Sequence, residues 1–203
     1  MSENKETHGV PRRKTDRRIL RTRDRLGDAL VELMQEKPFD SISVQDVLDR
    51  AGVARSTFYQ HYSDKEDLFL SDADEFLEYM STALSRCASD SVRVAPVREF
   101  FSHVAEARRL YDALVESGRI NDFMELAEAH FARGIGLRLA QVSRATAGSD
   151  EQHEAAARAL AGAMLSLLKW WIDDGMRLPP EQMDELYHRL VWSGVGSKAE
   201  QIL

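Results

Sequence analysis

The chain has 203 residues, 43% of them hydrophobic, with 11 glycines, 5 prolines, one cysteine and a formal net charge of −7. That length suits one generous domain, or a small domain fused to a larger one, with enough apolar residues for a real core. A lone Cys87 excludes an internal disulfide and a cysteine zinc cluster, no apolar run approaches the ~18 residues of a membrane span, and the polar, basic start lacks a secretory signal, so a reducing cytoplasm is the expected setting.

The charge is unevenly spread. Residues 1–65 hold 13 Lys/Arg against 11 Asp/Glu, and the remainder holds 14 against 23. Eight cations fall within 12–25, from Arg12 to Arg25, against Asp16 and Asp24. A basic end on an acidic body has the form of a local phosphate footprint; a basic tail with no target would carry the same pattern.

Residues 1–14 read as a disordered basic arm. A first helix is expected over about 15–36, with Ile19, Leu26, Ala29, Leu30, Leu33 and Met34 on one face. Its cations crowd the first turns, where the helix dipole disfavours them, so an external anion such as DNA phosphate would be stabilising. Lys37-Pro38 stops it. Ser43-Val-Gln-Asp46 is a capping box that opens a second helix, and Ala51-Gly52 ends it, because glycine tolerates positive φ. A short third helix spans about 54–61. Ser63-Asp-Lys-Glu66 reads as a second capping box, opening a helix that carries Leu68, Phe69, Phe76, Leu77 and Met80.

A loose connection follows at about 88–95. Pro96 suits a helix start, two helices broken near 107–109 come next, and Gly118 closes that pair. Residues 120–146 form another helix interrupted in composition by Gly134 and Gly136. A linker at 147–150, a helix rich in leucine and tryptophan ending at Gly175, and a last helix after Pro179-Pro180 complete an all-α chain of about nine helices.

Residues 43–61, SVQDVLDRAGVARSTFYQH, make a helix-turn-helix. Ala51 is small where the helices touch, Gly52 reverses the chain, and Val47, Val53 and Phe58 back the second helix. Outward on that helix stand Arg55, Ser56, Thr57, Tyr59, Gln60 and His61, groups that hydrogen-bond to base edges and phosphates.

The stretch FDSISVQDVLDRAGVARSTFYQHYSDKEDLF resembles the N-terminal signature of the TetR/AcrR regulators. The likeness covers about residues 15–70; beyond it the chain agrees only in length and helical character. The resemblance implies a three-helix DNA-binding domain over about 15–63 and a larger C-terminal ligand-binding and dimerisation bundle over 64–203. It implies phosphate contacts at Ser43, Thr57 and Lys65, backbone contacts at Tyr59 and His61, and base reading by Arg55, Ser56 and Gln60. Arg17 and Arg21 join the expected DNA contacts on charge. Ala54 departs from the family, which often places a capping serine or asparagine there; the missing cap costs roughly 1 kcal/mol.

For the C-terminal bundle the resemblance implies a homodimer, double-stranded operator DNA as partner, and a small-molecule effector; no membrane partner and no cofactor is expected. Leu160, Leu167, Leu168, Trp171, Met183, Leu186 and Leu190 are the candidate dimer surface, since helices apolar on more than one face are either central in a core or covered by a partner. Phe101, Tyr111, Phe123, Met124, His130, Phe131 and Met164 are candidate pocket residues, although aromatic and methionine residues at helical spacing also build ordinary cores. His103-x-x-Glu106 is too little for a metal site. Gly134-x-Gly136 does not follow a strand and is no dinucleotide fingerprint. No acid, base and nucleophile assemble, so the expected role is regulation by DNA binding, with action through a protein partner as the alternative to effector control.

Overall fold

The computed structural model describes residues 12–83, 93–142 and 150–196. Among these it places nine α-helices, a 3-10 turn at Phe39–Ser41 and no strand. The helices are α1 Arg12–Met34, α2 Val44–Ala51, α3 Arg55–Phe58, α4 Lys65–Ser81, α5 Val97–Glu106, α6 Arg108–Glu116, α7 Ile120–Val142, α8 Asp150–Asp173 and α9 Pro180–Gly196. The chain separates into two compact units, up to Phe69 and from Leu70. The division falls inside α4.

In the first unit, α1 begins at Arg12, so residues 12–14 belong to a helix and not to an arm; residues 1–11 lie outside the described residues. Leu26, Ala29, Leu30, Leu33 and Met34 are buried in a continuous stripe. The first turns are different: Ile19 and Leu20 are exposed among Arg17, Arg18 and Arg21. Pro38 precedes the 3-10 turn, whose Phe39 is fully buried and meets the edge of Phe69 at 5.8 Å between ring centroids.

The capping box at α2 is present in full. Ser43 Oγ accepts the Asp46 N–H at 3.1 Å, and Asp46 Oδ2 accepts the Ser43 N–H at 2.7 Å. The Ser43 backbone bond, with Lys37 at 2.9 Å, holds the Asp46 carboxyl far below the usual carboxylate range. At the other end Gly52 takes φ 62° and ψ 41°, the left-handed cap that L side chains resist. The box at α4 sits one residue later than the sequence suggests. Asp64, not Ser63, accepts the Asp67 N–H at 2.8 Å, and Asp67, not Glu66, accepts the Ser63 N–H at 2.8 Å.

In the second unit, α7 packs most extensively on α8, and α5 on α9. Phe100, Phe101, Phe131, Met164 and Trp171 fill the core between them. The break between α5 and α6 falls at Ala107, as the periodicity indicates. Helix α7 runs unbroken through both glycines because Gly134 is a contact and not a hinge: a Cβ there would lie 2.4 Å from the Ser81 carbonyl oxygen of α4. The proposed linkers at 88–95 and 147–150 fall mostly outside the described residues.

Candidate nucleic-acid interface

Helix α3 is a single regular turn, Arg55–Phe58, shorter than the 54–61 expected. Ala54 supplies no side-chain cap, and the chain continues in tight turns with His61 and Tyr62 amides both bonded to the Phe58 carbonyl at 2.9 Å. Phe58 anchors this segment: it is fully buried and stacks near Tyr62, which is 6% exposed. With Phe58 and Tyr62 inward, helical geometry turns Arg55, Ser56, Tyr59 and Gln60 outward, and all four are exposed. Thr57 and His61 are half-buried at the edge of this surface.

Arg55 is already oriented. Its guanidinium lies 5.5 Å from the Tyr59 ring centroid and donates to the Tyr59 hydroxyl at 3.4 Å. A planar fork held on a half-exposed ring presents parallel N–H groups of the kind that read guanine. Ser43 is exposed, but its hydroxyl both accepts from and donates to Asp46, so it serves first as the cap of α2. Arg17 and Arg21 are exposed on α1 and available to phosphate.

Lys65, for which the resemblance implies a phosphate contact, is turned here towards the α1–α2 connection. Its ammonium donates to the carbonyls of Phe39 and Ile42 at 2.8 Å each and of Asp40 at 3.3 Å, with Nζ 4.7 Å from the Phe39 ring centroid. Other cations of the basic end are engaged internally as well. Arg25 donates to the carbonyls of Ala51 and, at 3.3 Å, Gly52, closing the C-terminal end of α2. Arg23 donates to the Tyr62 hydroxyl at 3.1 Å, and Arg50 pairs with Glu32 and Glu36. Sequence reasoning counted Arg23 and Arg25 as footprint. The available signal was that Arg25 adjoins Leu26 and precedes Ala29 by one turn, beside the buried stripe.

Of the expected pocket residues, Met124 lines an open groove between α7 and α8 with Asn121, Glu125, Leu165 and Lys169. Phe101, Phe131 and Met164 are core residues with no exposed surface, and Tyr111, Phe123 and Met124 pack against them. His130, 6% exposed, belongs to a polar cluster between α4 and α7. Its Nε2 lies 2.8 Å from Asp74 Oδ1, and its Nδ1 lies 3.2 Å from the Glu78 carboxylate and 2.8 Å from the Arg133 guanidinium. His103 stacks on Phe76 at 4.4 Å, and burial pushes its pKa down.

The expected dimer surface divides in two. Leu168, Trp171 and Met183 are at most 2% exposed and pack in the core of their own unit. Leu160, Leu167 and Leu186 are half-buried and Leu190 is 62% exposed. With Ala163, Trp170, Tyr187 and Val191, three of these (Leu160, Leu167 and Leu190) line an open apolar groove along α8 and α9. Trp170, half-exposed, is the large residue that sequence reasoning left out of this surface.

Comparison with known proteins agrees with this geometry. Residues 26–71 match the family of bacterial regulatory proteins, tetR family, and residues 96–192 match a transcriptional regulator C-terminal region. A stretch of 102 residues is 31% identical to the HTH-type transcriptional regulator EthR of Mycolicibacterium smegmatis, taking in 45% of this chain and 46% of that one. The chain spans about half the length, or less, of the curated relatives it matches. Among solved structures, a TetR transcriptional regulator from Streptococcus agalactiae superposes with a TM-score of 0.60 at 25% identity, over 89% of this chain and 98% of that one. RolR, solved in complex with resorcinol, shares the fold with a TM-score of 0.56 at 19% identity, over 91% and 92% of the two chains. Among the described residues no helix is long and apolar enough to cross a membrane. The capped helix pair, its outward polar surface and the matches to both parts of the chain together place this protein in the TetR family of DNA-binding transcriptional regulators.

Proposed function

We propose that the chain is a homodimeric repressor that grips a palindromic operator and is released from it by a small-molecule effector. The observation that carries the DNA-reading part is the exposed set Arg55, Ser56, Tyr59 and Gln60, with Arg55 held against Tyr59. Arg55, Ser56 and Gln60 read bases, while Tyr59, Thr57, His61 and the α1 arginines fix the register on phosphate. The apolar groove on α8 and α9, with Leu190 and Trp170 exposed, supports pairing with a second copy. A two-fold dimer would match operator half-sites about one helical turn apart. Effector release is a population shift and requires a ligand with unequal affinity for the operator-fitting and non-fitting states.

A second reading, control through a protein partner, draws on the packed state of Phe101, Phe131 and Met164, which leaves the expected effector residues filled by one another. The two readings separate in one experiment. Thermal shift across a metabolite library, followed by operator release for each hit, should give at least one compound that does both. A library without hits, together with a stoichiometric protein partner that changes operator affinity, would replace effector control with the second reading. Leu190→Arg should convert the dimer to monomer in sedimentation; a wild-type chain that sediments as a monomer on and off DNA would refute the paired arrangement.

A further inference from the structure

We propose that His188 is an acid-sensitive latch: as a neutral imidazole it fastens the segment that enters α5 to helix α9, and on taking up a proton it releases that segment and weakens pairing through the other side of α9. The consequence for pairing rests on the dimer proposed above; the latch itself does not.

Helix α5 starts without help from its own neighbourhood. Pro96 stands at its N-cap position and supplies no side-chain bond, so the amides around that start need acceptors from elsewhere. One turn of α9 provides them. His188 Nε2 accepts the Val94 N–H at 3.0 Å and the Ala95 N–H at 3.4 Å, and Asp184 Oδ1 accepts the Arg98 N–H at 3.1 Å. On its other side the ring donates from Nδ1 to the Asp184 carbonyl at 2.8 Å. Two N–H groups meet Nε2 and a carbonyl meets Nδ1, so these contacts suit the neutral ring with its hydrogen on Nδ1. A second hydrogen, on Nε2, would point at two donors. Val94 and Ala95 are at most 1% exposed and His188 is 7% exposed, so water has little access as a substitute.

The charges around the ring do not rescue the cation. Burial pushes the His188 pKa down, and the nearby Arg93 adds to this, against the Asp184 carbonyl and the Asp184 and Glu99 carboxylates that favour a proton. Both carboxylates are engaged by Arg93, at 2.7 Å to Asp184 and 2.5 Å to Glu99, and Arg98 also pairs with Glu99. From α7, Arg138 donates to the Arg93 carbonyl at 3.0 Å and brings a further cation to the same segment. The latch is therefore closed above pH 6.5 and opens as pH falls through the depressed folded pKa. The ring is also tied to the apolar groove. The Tyr187 ring meets it edge-on at 5.1 Å, donates its hydroxyl to the Leu160 carbonyl of α8 at 2.9 Å, and lines the groove with Leu160 and Leu190. A shift of His188 away from Val94 thus disturbs the surface offered to a second copy.

Amide exchange on the full chain at pH 7 and pH 5, corrected for the intrinsic effect of pH, tests the latch. Protection of Val94 and Ala95 should fall at least about tenfold in acid, while buried Phe131 and Ile135 of α7 keep theirs. In His188→Gln, whose amide oxygen accepts at either pH, both amides should be equally protected at the two. Imidazole nitrogen shifts of the wild type need no variant: Nε2 should gain its proton over the range in which Val94 and Ala95 lose protection. In sedimentation the wild-type dimer should weaken about tenfold over this range, and that of His188→Gln should not. The latch is overturned if Nε2 takes up a proton while Val94 and Ala95 stay protected, or if it is still unprotonated at pH 5. It is equally overturned if His188→Gln loses protection as the wild type does, or if Phe131 and Ile135 lose theirs alongside. Its link to pairing is overturned if wild-type and variant dimers respond alike to acid. A wild type that sediments as a monomer at pH 7 would refute the dimer, with the amides still deciding the latch.

Discussion

Replacing Gly52 by alanine should break the helix-turn-helix in two separable ways. The first is conformational: at φ 62° an L residue pays about 1–2 kcal/mol for the left-handed region. The second is steric. A Cβ at this position would lie 2.9 Å from the Arg25 guanidinium, closer than real Cβ contacts come. Arg25 is flexible enough to move, but moving forfeits its bonds to the Ala51 and Gly52 carbonyls. A charged hydrogen bond contributes about 1.5–3 kcal/mol when buried; these are only partly buried, so roughly 1 kcal/mol is the reasonable share. Gly52→Ala should therefore destabilise the protein by about 2–3 kcal/mol, read from urea unfolding. In an Arg25→Ala background the steric part has already been lost, and the same substitution should cost only about 1–2 kcal/mol. Equal costs in the two backgrounds would refute the coupling, and a cost below about 0.5 kcal/mol in the wild-type background would refute the conformational argument as well.

Three further outcomes follow from the geometry. Arg55→Ala should lose about 1–3 kcal/mol on the selected duplex and relax preference at one base pair; equal losses on selected and unselected duplexes would remove its base-reading role. Gly134→Ala should cost about 1–3 kcal/mol in thermal or urea unfolding, because the obstructing atom is the Ser81 backbone oxygen, which cannot rotate away; an unchanged midpoint would show that α4 and α7 are not in close contact there. Acid should weaken the second unit through His188. Its Nε2 accepts the Val94 N–H at 3.0 Å, its Nδ1–H donates to the Asp184 carbonyl at 2.8 Å, and burial depresses its pKa below 6.5. The neutral form is the one that fits, so its contribution is fully present above pH 6.5 and is lost as pH falls below that value through the folded pKa. Its neighbour Glu99 does not confuse this window: burial pushes its pKa up, but bonds from Arg93 outweigh that and hold it at about 2. The midpoint measured between pH 7 and 5 should therefore fall in the wild type and flatten in His188→Gln, whose amide oxygen still accepts; an identical slope in both would acquit His188.

The helix-turn-helix was legible because its determinants are local. The Ser43 box, the glycine at 52 and the Phe58 anchor all act within a few residues, and each appears where the spacing puts it. What sequence could not decide was the direction a cation faces. Arg25 lies 26 residues from Ala51, and Lys65 lies 26 from Phe39, so charge counting placed Arg25 in an outer footprint, the family resemblance implied a phosphate contact for Lys65, and neither could show these internal bonds. The shift of the second capping box by one residue has a similar origin: Ser63 and Asp64 are both competent caps, and only packing around the start of α4 selects between them.

In α8 two apolar stripes run side by side. Ala161, Met164, Leu165, Leu168 and Trp171 follow one and are buried; Leu160, Ala163, Leu167 and Trp170 follow the other and line the open groove. Reading the helix as apolar nearly all round merged the two, which is how Leu168 and Trp171 came to be expected at an interface. The aromatic residues of α5 and α7 illustrate the same ambiguity, because a residue suited to line a pocket is equally suited to fill it. Gly134 marks close approach by another backbone, but Gly136 and Gly162 lie in equally continuous helices and meet none, so the sequence did not single it out.

The most direct test of DNA reading by a paired regulator is to sequence what the purified full chain retains from a random duplex pool at physiological salt. The account predicts an enriched palindrome with half-sites about one helical turn apart. Retention without any enriched motif, or no retention at all, would contradict it.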